Sequence, residues 1–318
     1  MSFDDFEAFR RQPQLWWPVA EDLARGHGAA AIEPFEKGSN LVAALEGQRV
    51  LKIFPPMLLH QFESERRTLA ALAGRLSVAT PEPLAEGERD GWTYLIMSRL
   101  PGRTADQVWP TLSEAGKVAL LGRLGRLIAE VQAQPVGALA SLPPAWPEFL
   151  KAQRAGCRGR HEGLGLAPTL LEGLESYLDD AIGTFAADRP PVILTGEYIG
   201  ENLMLDHGAS GWALSGLFDF GDVMTGYHEY DLLGPSMFLA AGHPASVRAL
   251  LEGFAPGLSA DPGLPQRLTA LMLLHRFSDL KRQIAIEDWP SRATTLRALE
   301  RLLWPTSPTA GTAARPAE

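Results

Sequence analysis

The chain has 318 residues, a formal net charge of −9, 46% hydrophobic residues and 21% charged ones. That length supports one large domain or two lobes, and the acidic balance argues against non-specific binding to nucleic acid or anionic membrane. No apolar run approaches the roughly 20 residues of a membrane span, and the opening MSFDDFEAFRRQ lacks the apolar core of a signal peptide.

In chain order, residues 3–27 carry helical spacing through Phe3, Phe6, Phe9, Trp16, Trp17, Val19 and Leu23, with the tryptophans read as core anchors. EKGSNLVAALEGQRVLKIF then predicts strand, a turn at Gly47, and strand. Residues 61–73 return to a helical period, and YLIMSRL at 94–100 predicts a strand closed by Pro101-Gly102. A small β-rich lobe over residues 1–100 is therefore expected. Residues 112–134 predict a long amphipathic helix capped by Ser113, with further helices over 145–155 and 168–186. Short strands VILTG, NLMLD and ALSGLFDF follow, and helices resume at 227–241, 244–254, 264–286 and 292–303. Residues 101–304 thus read as a second, mostly helical lobe, and residues 305–318, rich in Pro, Ala and Thr, as a disordered tail. The fold class expected is α+β and bilobal.

Cys157 is the one cysteine, so no internal disulfide forms and a cytoplasmic chain with an inert thiol is expected. Residues 191–240 hold seven carboxylates (Glu197, Glu201, Asp206, Asp219, Asp222, Glu229, Asp231) and no Lys or Arg. Acids interleaved with buried-looking strands need a metal, a proton or a cation as partner.

The stretch LTGEYIGENLMLDHGASGWALSGLFDFG has the layout of a kinase catalytic loop followed by its metal-binding aspartate. Glu197 would handle the proton of an attacking hydroxyl, while Asn202 and Asp219, in Asp219-Phe220-Gly221, would hold magnesium on ATP. Lys52, in the alternating strand VLKIF, would aim its ammonium at the phosphates, with Glu65 on the next helix as partner. A lone strand lysine is ordinarily an exposed edge residue, and a helical Glu beside Arg66 ordinarily a surface pair. Their order ahead of residues 197–221 gives both the functional reading. Glu63 is the rival for the partner role, and Glu65 is preferred because Leu69 and Leu72 then fall on the adjacent face. Gly38-Ser39-Asn40 is the candidate phosphate-covering turn, although it has one glycine and an ordinary hairpin turn reads the same way. Met97 and Arg99 occupy the strand end that would join two lobes and meet the adenine edge.

On VLKIF, FESERRTLAAL, YLIMSRLPG, TGEYIGENLML, GLFDFGD and EYDL, the chain resembles the aminoglycoside phosphotransferase (choline-kinase-like) superfamily. LWWPVAEDLA, GSNLVAAL and LLHRFSD are similar to its hygromycin B phosphotransferase branch. The resemblance implies a bilobal protein-kinase-like fold, ATP with Mg2+, and transfer of the terminal phosphate to a hydroxyl of a small molecule such as an aminoglycoside. GTP is admitted beside ATP. A cationic or polyol acceptor is expected, with Glu201, Asp222 and Glu229 meeting its ammonium groups, and no nucleic-acid or membrane partner.

The family usually has His-Gly-Asp where this chain has Thr195-Gly196-Glu197. Two alternatives therefore stand beside the leading expectation: a kinase-fold binder without turnover, and a kinase for another metabolite such as choline, homoserine or a thiosugar. The short run from Asp219 to EYDL disfavours a protein kinase, and no H-x-x-x-H or G-x-S-x-G signature occurs.

Overall fold

The computed structural model describes residues 3–35, 40–185, 189–209 and 211–305. Helices α1 (Phe3–Arg10) and α2 (Pro13–Gly26) replace the single helix expected over 3–27. The break falls at Pro13, which sits comfortably at a helix start but cannot continue one.

Strands β1 (Ile32–Pro34), β2 (Leu41–Leu45) and β3 (Arg49–Phe54) follow, then helix α3 (Leu59–Leu72) and strands β4 (Pro83–Arg89) and β5 (Trp92–Ser98). They form one antiparallel sheet in the order β1-β2-β3-β5-β4. The β2–β3 turn puts Gly47 and Gln48 at φ 79° and 55°, the left-handed backbone that tight hairpins demand. Lys52 lies on the central strand, opposite Val42 on one side and Leu95 on the other. The polar edge strand β4, PLAEGER, carries no apolar alternation and was not expected from the sequence. The expected phosphate turn falls partly outside the described residues, since Gly38 and Ser39 are not among them.

The remaining chain is mostly helical. Strand β6 (Arg103–Thr104) and helix α4 (Ala105–Val108) lead into α5 (Glu114–Gln132), where Ser113 Oγ accepts the Gly116 N–H at 3.2 Å as the expected cap. Helices α6 (Trp146–Gly163), α7 (Pro168–Leu171) and α8 (Leu174–Ile182) come next. The expected 168–186 helix is interrupted at Gly173, whose φ is 67°. Strands β7 (Val192–Leu194), β8 (Leu203–Gly208), β9 (Gly211–Leu217) and β10 (Met224–Gly226) pair as β6-β8-β9 and β10-β7. Residues 228–240, expected to be α-helix, form a 3-10 turn over His228–Leu232 and a π-turn over Pro235–Ala240. Helices α9 (Pro244–Phe254), α10 (Leu264–Leu273), α11 (Leu280–Gln283), α12 (Trp289–Arg292) and α13 (Leu296–Leu303) complete the lobe.

Helix α5 is its spine, burying Leu120, Leu121, Leu124, Leu127, Ile128 and Val131. Each such side chain contributes about 1.5–3 kcal/mol through burial. Where α5 crosses α9, a Cβ on Gly125 would run into the Leu250 carbonyl, so the two backbones touch only because glycine is there. This packing fixes the floor that carries β7 to β10. No helix among the described residues is long and apolar enough to cross a membrane.

Candidate active site

The sheet and the helical lobe face each other across a cleft of about 540 Å³. Val42 and Val50 line it from the sheet side, Met204 and Phe218 from the helical side, and Met97 and Leu100 close its back. That is an apolar slot wide enough for a planar ring, with Lys52, Asn40, Asn202 and Asp219 also on its walls. Arg99 enters the cleft differently from expectation. Its backbone N–H is given to the Gln48 carbonyl at 2.8 Å and is not left for the edge of a base, and its guanidinium lies 5.4 Å from the Phe35 ring centroid. Asn40 is 5% exposed, donates to Gln61 Oε1 at 3.1 Å, and leaves its own amide oxygen without a protein partner.

Lys52 donates to Glu65 Oε2 at 2.5 Å and to Asp219 Oδ1 at 2.8 Å. Burial opposes its charge, but the Asp219 and Glu65 carboxylates outweigh that and push its pKa up, so the ammonium persists. The choice between Glu65 and Glu63 is decided by geometry: Glu63 faces outward to Arg66 and Arg67, both at 2.9 Å. The neighbouring Ser64 Oγ donates to the Phe220 carbonyl at 2.9 Å and ties α3 to the Asp219 turn. Asp219 itself sits at φ 67°, an unusual conformation for a non-glycine residue, anchored by Lys52 and by the fully buried Phe220.

Glu197 and Asn202 meet as the motif predicts: Asn202 Nδ2 donates to the Glu197 carbonyl and to its Oε2, both at 3.2 Å. Burial first, and then the Asp219 and Asp222 charges, push the Glu197 carboxyl up to about 8. The structure therefore brings Lys52, Glu65, Asn202 and Asp219 to the cleft wall, with Glu197 bonded to Asn202 just beyond it.

The residues expected to meet an ammonium group are arranged otherwise. Glu229 is 1% exposed and held by three hydrogen bonds from Arg267, the shortest 2.6 Å, so burial removes it from any acceptor. Glu201 is exposed and lines the nucleotide-sized cleft. Asp222 accepts from Arg276 at 3.1 Å.

Asp231, not singled out from the sequence as a site residue, is 2% exposed and accepts the Thr195 and Gly196 N–H groups at 3.2 and 2.8 Å. It holds the loop that carries Glu197, and its sequence signals are its place in EYDL and among the seven carboxylates of residues 191–240. Burial lifts its carboxyl to about 7 against the pull of those donors and of Gln132. A carboxyl whose pKa rises on folding gives stability that is complete below its ordinary value of 3.8 and lost as pH climbs through about 7. Asp231→Asn is expected to flatten this part of the stability curve between pH 4 and 7. It is also expected to cost about 1–3 kcal/mol, because one backbone N–H then faces an amide N–H. Denaturant titrations at stepped pH read both effects.

A sequence model described as the phosphotransferase enzyme family matches residues 31–271. Among solved structures, the GDP complex of wild-type aminoglycoside 2'-phosphotransferase-IIIa has a TM-score of 0.64 at 18% identity, covering 92% of this chain and 97% of that one. The GDP and kanamycin complex of APH(2")-IIIa gives 0.61 at 18% identity, over 86% and 92%. Macrolide 2'-phosphotransferase MphH from Brachybacterium faecium gives 0.56 at 20% identity, over 80% and 87%. At these identities the likeness shows the fold, and it is the two-lobed kinase-like fold that the sequence leads one to expect.

Proposed function

The chain belongs to the phosphotransferase enzyme family, and on that footing we propose that it transfers the terminal phosphoryl group of ATP or GTP to a hydroxyl of a small molecule. The observation that carries this is Lys52, Asn202 and Asp219 on the wall of one apolar cleft, with Glu197 held by Asn202 just beyond it. GDP in two of the solved neighbours supports nucleotide use.

The base would lie in the slot between Val50 and Met204, and the phosphates would run towards Lys52, which Glu65 holds in place. The amide of Asn202 and the carboxylate of Asp219 are hard oxygen donors. Among the described residues no group of three or more His, Cys, Asp or Glu forms a metal cage. A carboxylate and an amide that leave most positions to phosphate and water suit Mg2+. When bound, that ion neutralises phosphate charge. Glu197 orients the acceptor hydroxyl and takes its proton as the new O–P bond forms and the bond to the departing diphosphate oxygen breaks.

The family resemblance implies an aminoglycoside or related amino sugar as acceptor, and kanamycin in a solved neighbour supports that class. The Thr195-Gly196-Glu197 sequence favours a second reading, a nucleotide binder without turnover. A coupled assay of ADP or GDP release across aminoglycosides and neutral glycosides separates the two. Acceptor-dependent turnover of about 1 s⁻¹ or more is expected. Nucleotide-induced thermal stabilisation with no acceptor response would establish the binder instead.

A further inference from the structure

Asp219 lines the nucleotide-sized cleft, whereas Glu197 and Asp222 do not. Met224 pairs with Leu194 in the antiparallel β7–β10 ladder, so Asp222, two residues before Met224, and Glu197, three residues after Leu194, leave it at the same end, where an acceptor hydroxyl would approach. Asp222 is already engaged there. Arg276 Nη1 donates to its Oδ1 at 3.1 Å, and Nη2 donates to its carbonyl at 3.1 Å and to Met224 Sδ at 3.2 Å. The guanidinium carbon stands 5.9 Å from the Phe149 ring centroid and 5.7 Å from that of Phe277. Only 21% of the Arg276 side chain and 15% of the Asp222 side chain is exposed, so the pair is largely dry. The segment is pinned from behind: the Phe277 N–H donates to His275 Nδ1 at 3.2 Å, and the His275 ring stacks on Tyr230 at 4.9 Å.

We propose that the Arg276–Asp222 pair, cradled by Phe149 and Phe277, determines acceptor specificity by selecting hydroxyl compounds that carry no ammonium group beside the reacting oxygen. The proposal rests on the phosphotransferase reading and, within it, sets neutral acceptors against the aminoglycoside class that the family resemblance implies. An ammonium arriving beside Glu197 would meet a carboxylate that already has its cation, and a second positive charge next to it. Displacing Arg276 would strand a guanidinium among aromatic rings. Like charges brought together at a desolvated contact are a strong means of rejecting a partner. Glu229 and Asp231 offer no substitute, since Arg267 and two backbone amides hold them. The Phe277 ring, 57% exposed, instead presents an apolar face on which a neutral sugar or aglycone ring can lie.

Calorimetric titration of the full chain with kanamycin, in the presence of a non-hydrolysable ATP analogue and Mg2+, tests the idea. Arg276→Gln is expected to bind kanamycin about tenfold or more tightly than the wild type at low salt, with the gain shrinking at high salt. Arg276→Lys keeps the charge and is expected to resemble the wild type. In turnover, Phe277→Ala, an exposed change that should leave the fold intact, is expected to raise the KM for phenyl β-glucoside severalfold without affecting kanamycin. Wild-type protein that binds kanamycin as tightly as Arg276→Gln, or a Phe277→Ala variant unchanged towards the glucoside, would overturn the proposal. If Arg276→Gln gains kanamycin affinity while no acceptor is turned over by either protein, charge selection stands and the phosphotransferase reading fails.

Discussion

Glu197→Ala is expected to lower kcat by about 10²- to 10⁴-fold while nucleotide affinity changes little, since a positioned base contributes on that scale. The separation follows from placement. Glu197 touches Asn202 and lies off the cleft that the nucleotide would fill, whereas Lys52 and Asp219 line it. Glu197→Asp is the more discriminating exchange. It withdraws the carboxylate by about 1.5 Å, and a misplacement of about 1 Å can cost on the order of 100-fold. It also breaks the 3.2 Å contact with Asn202 Nδ2. A loss of about 10- to 100-fold is therefore expected if the loop is built around the longer acid. Single-turnover kinetics on all three proteins would measure this. Undiminished transfer in Glu197→Ala would remove Glu197 from the mechanism. A faster Glu197→Asp enzyme would mean that the loop is shaped for aspartate.

Lys52→Met is expected to abolish transfer and to destabilise the fold by about 3–5 kcal/mol, because it removes the one cation between two acids. Glu65 is the sensitive partner, with only 2% of its side chain exposed and its carboxylate bonded to Lys52. The methionine fills the volume of the lysine stem, so the loss reports charge and not a cavity. Adding Glu65→Gln is expected to recover much of the stability and none of the activity. Thermal melts with and without MgATP read both: the single variant should melt lower and respond weakly to nucleotide. A melting temperature within about 1–2 °C of wild type would show that Glu65 and Asp219 tolerate isolation, against the general cost of uncompensated buried charge.

Much of the site is legible in the chain itself. Lys52 and Glu65 stand in a strand and the next helix, and their pairing needs only that the helix fold back on its strand. Asn202 reaches Glu197 across five residues of one loop. Such short-range geometry is encoded locally, in strand alternation and turn residues. The misjudged helix bounds are local too. Pro13 and Gly173 break helices that the apolar spacing alone would have continued. Residues 228–240 coil more tightly and then more loosely than an α-helix, although their apolar pattern is helical.

Short motifs alone settle which groups are able to face a triphosphate, because spacing within a motif dictates which side chains share a loop or a strand face. Which acids remain for a ligand depends instead on the folded arrangement of distant segments. Seven carboxylates without a local base look like a surface awaiting a cation. Arg267 lies 38 residues beyond Glu229 and Arg276 54 beyond Asp222, and both fold back to meet them. No local periodicity encodes such pairings. They are selected by desolvation, since an acid carried into the interior requires whichever cation the packing brings within reach.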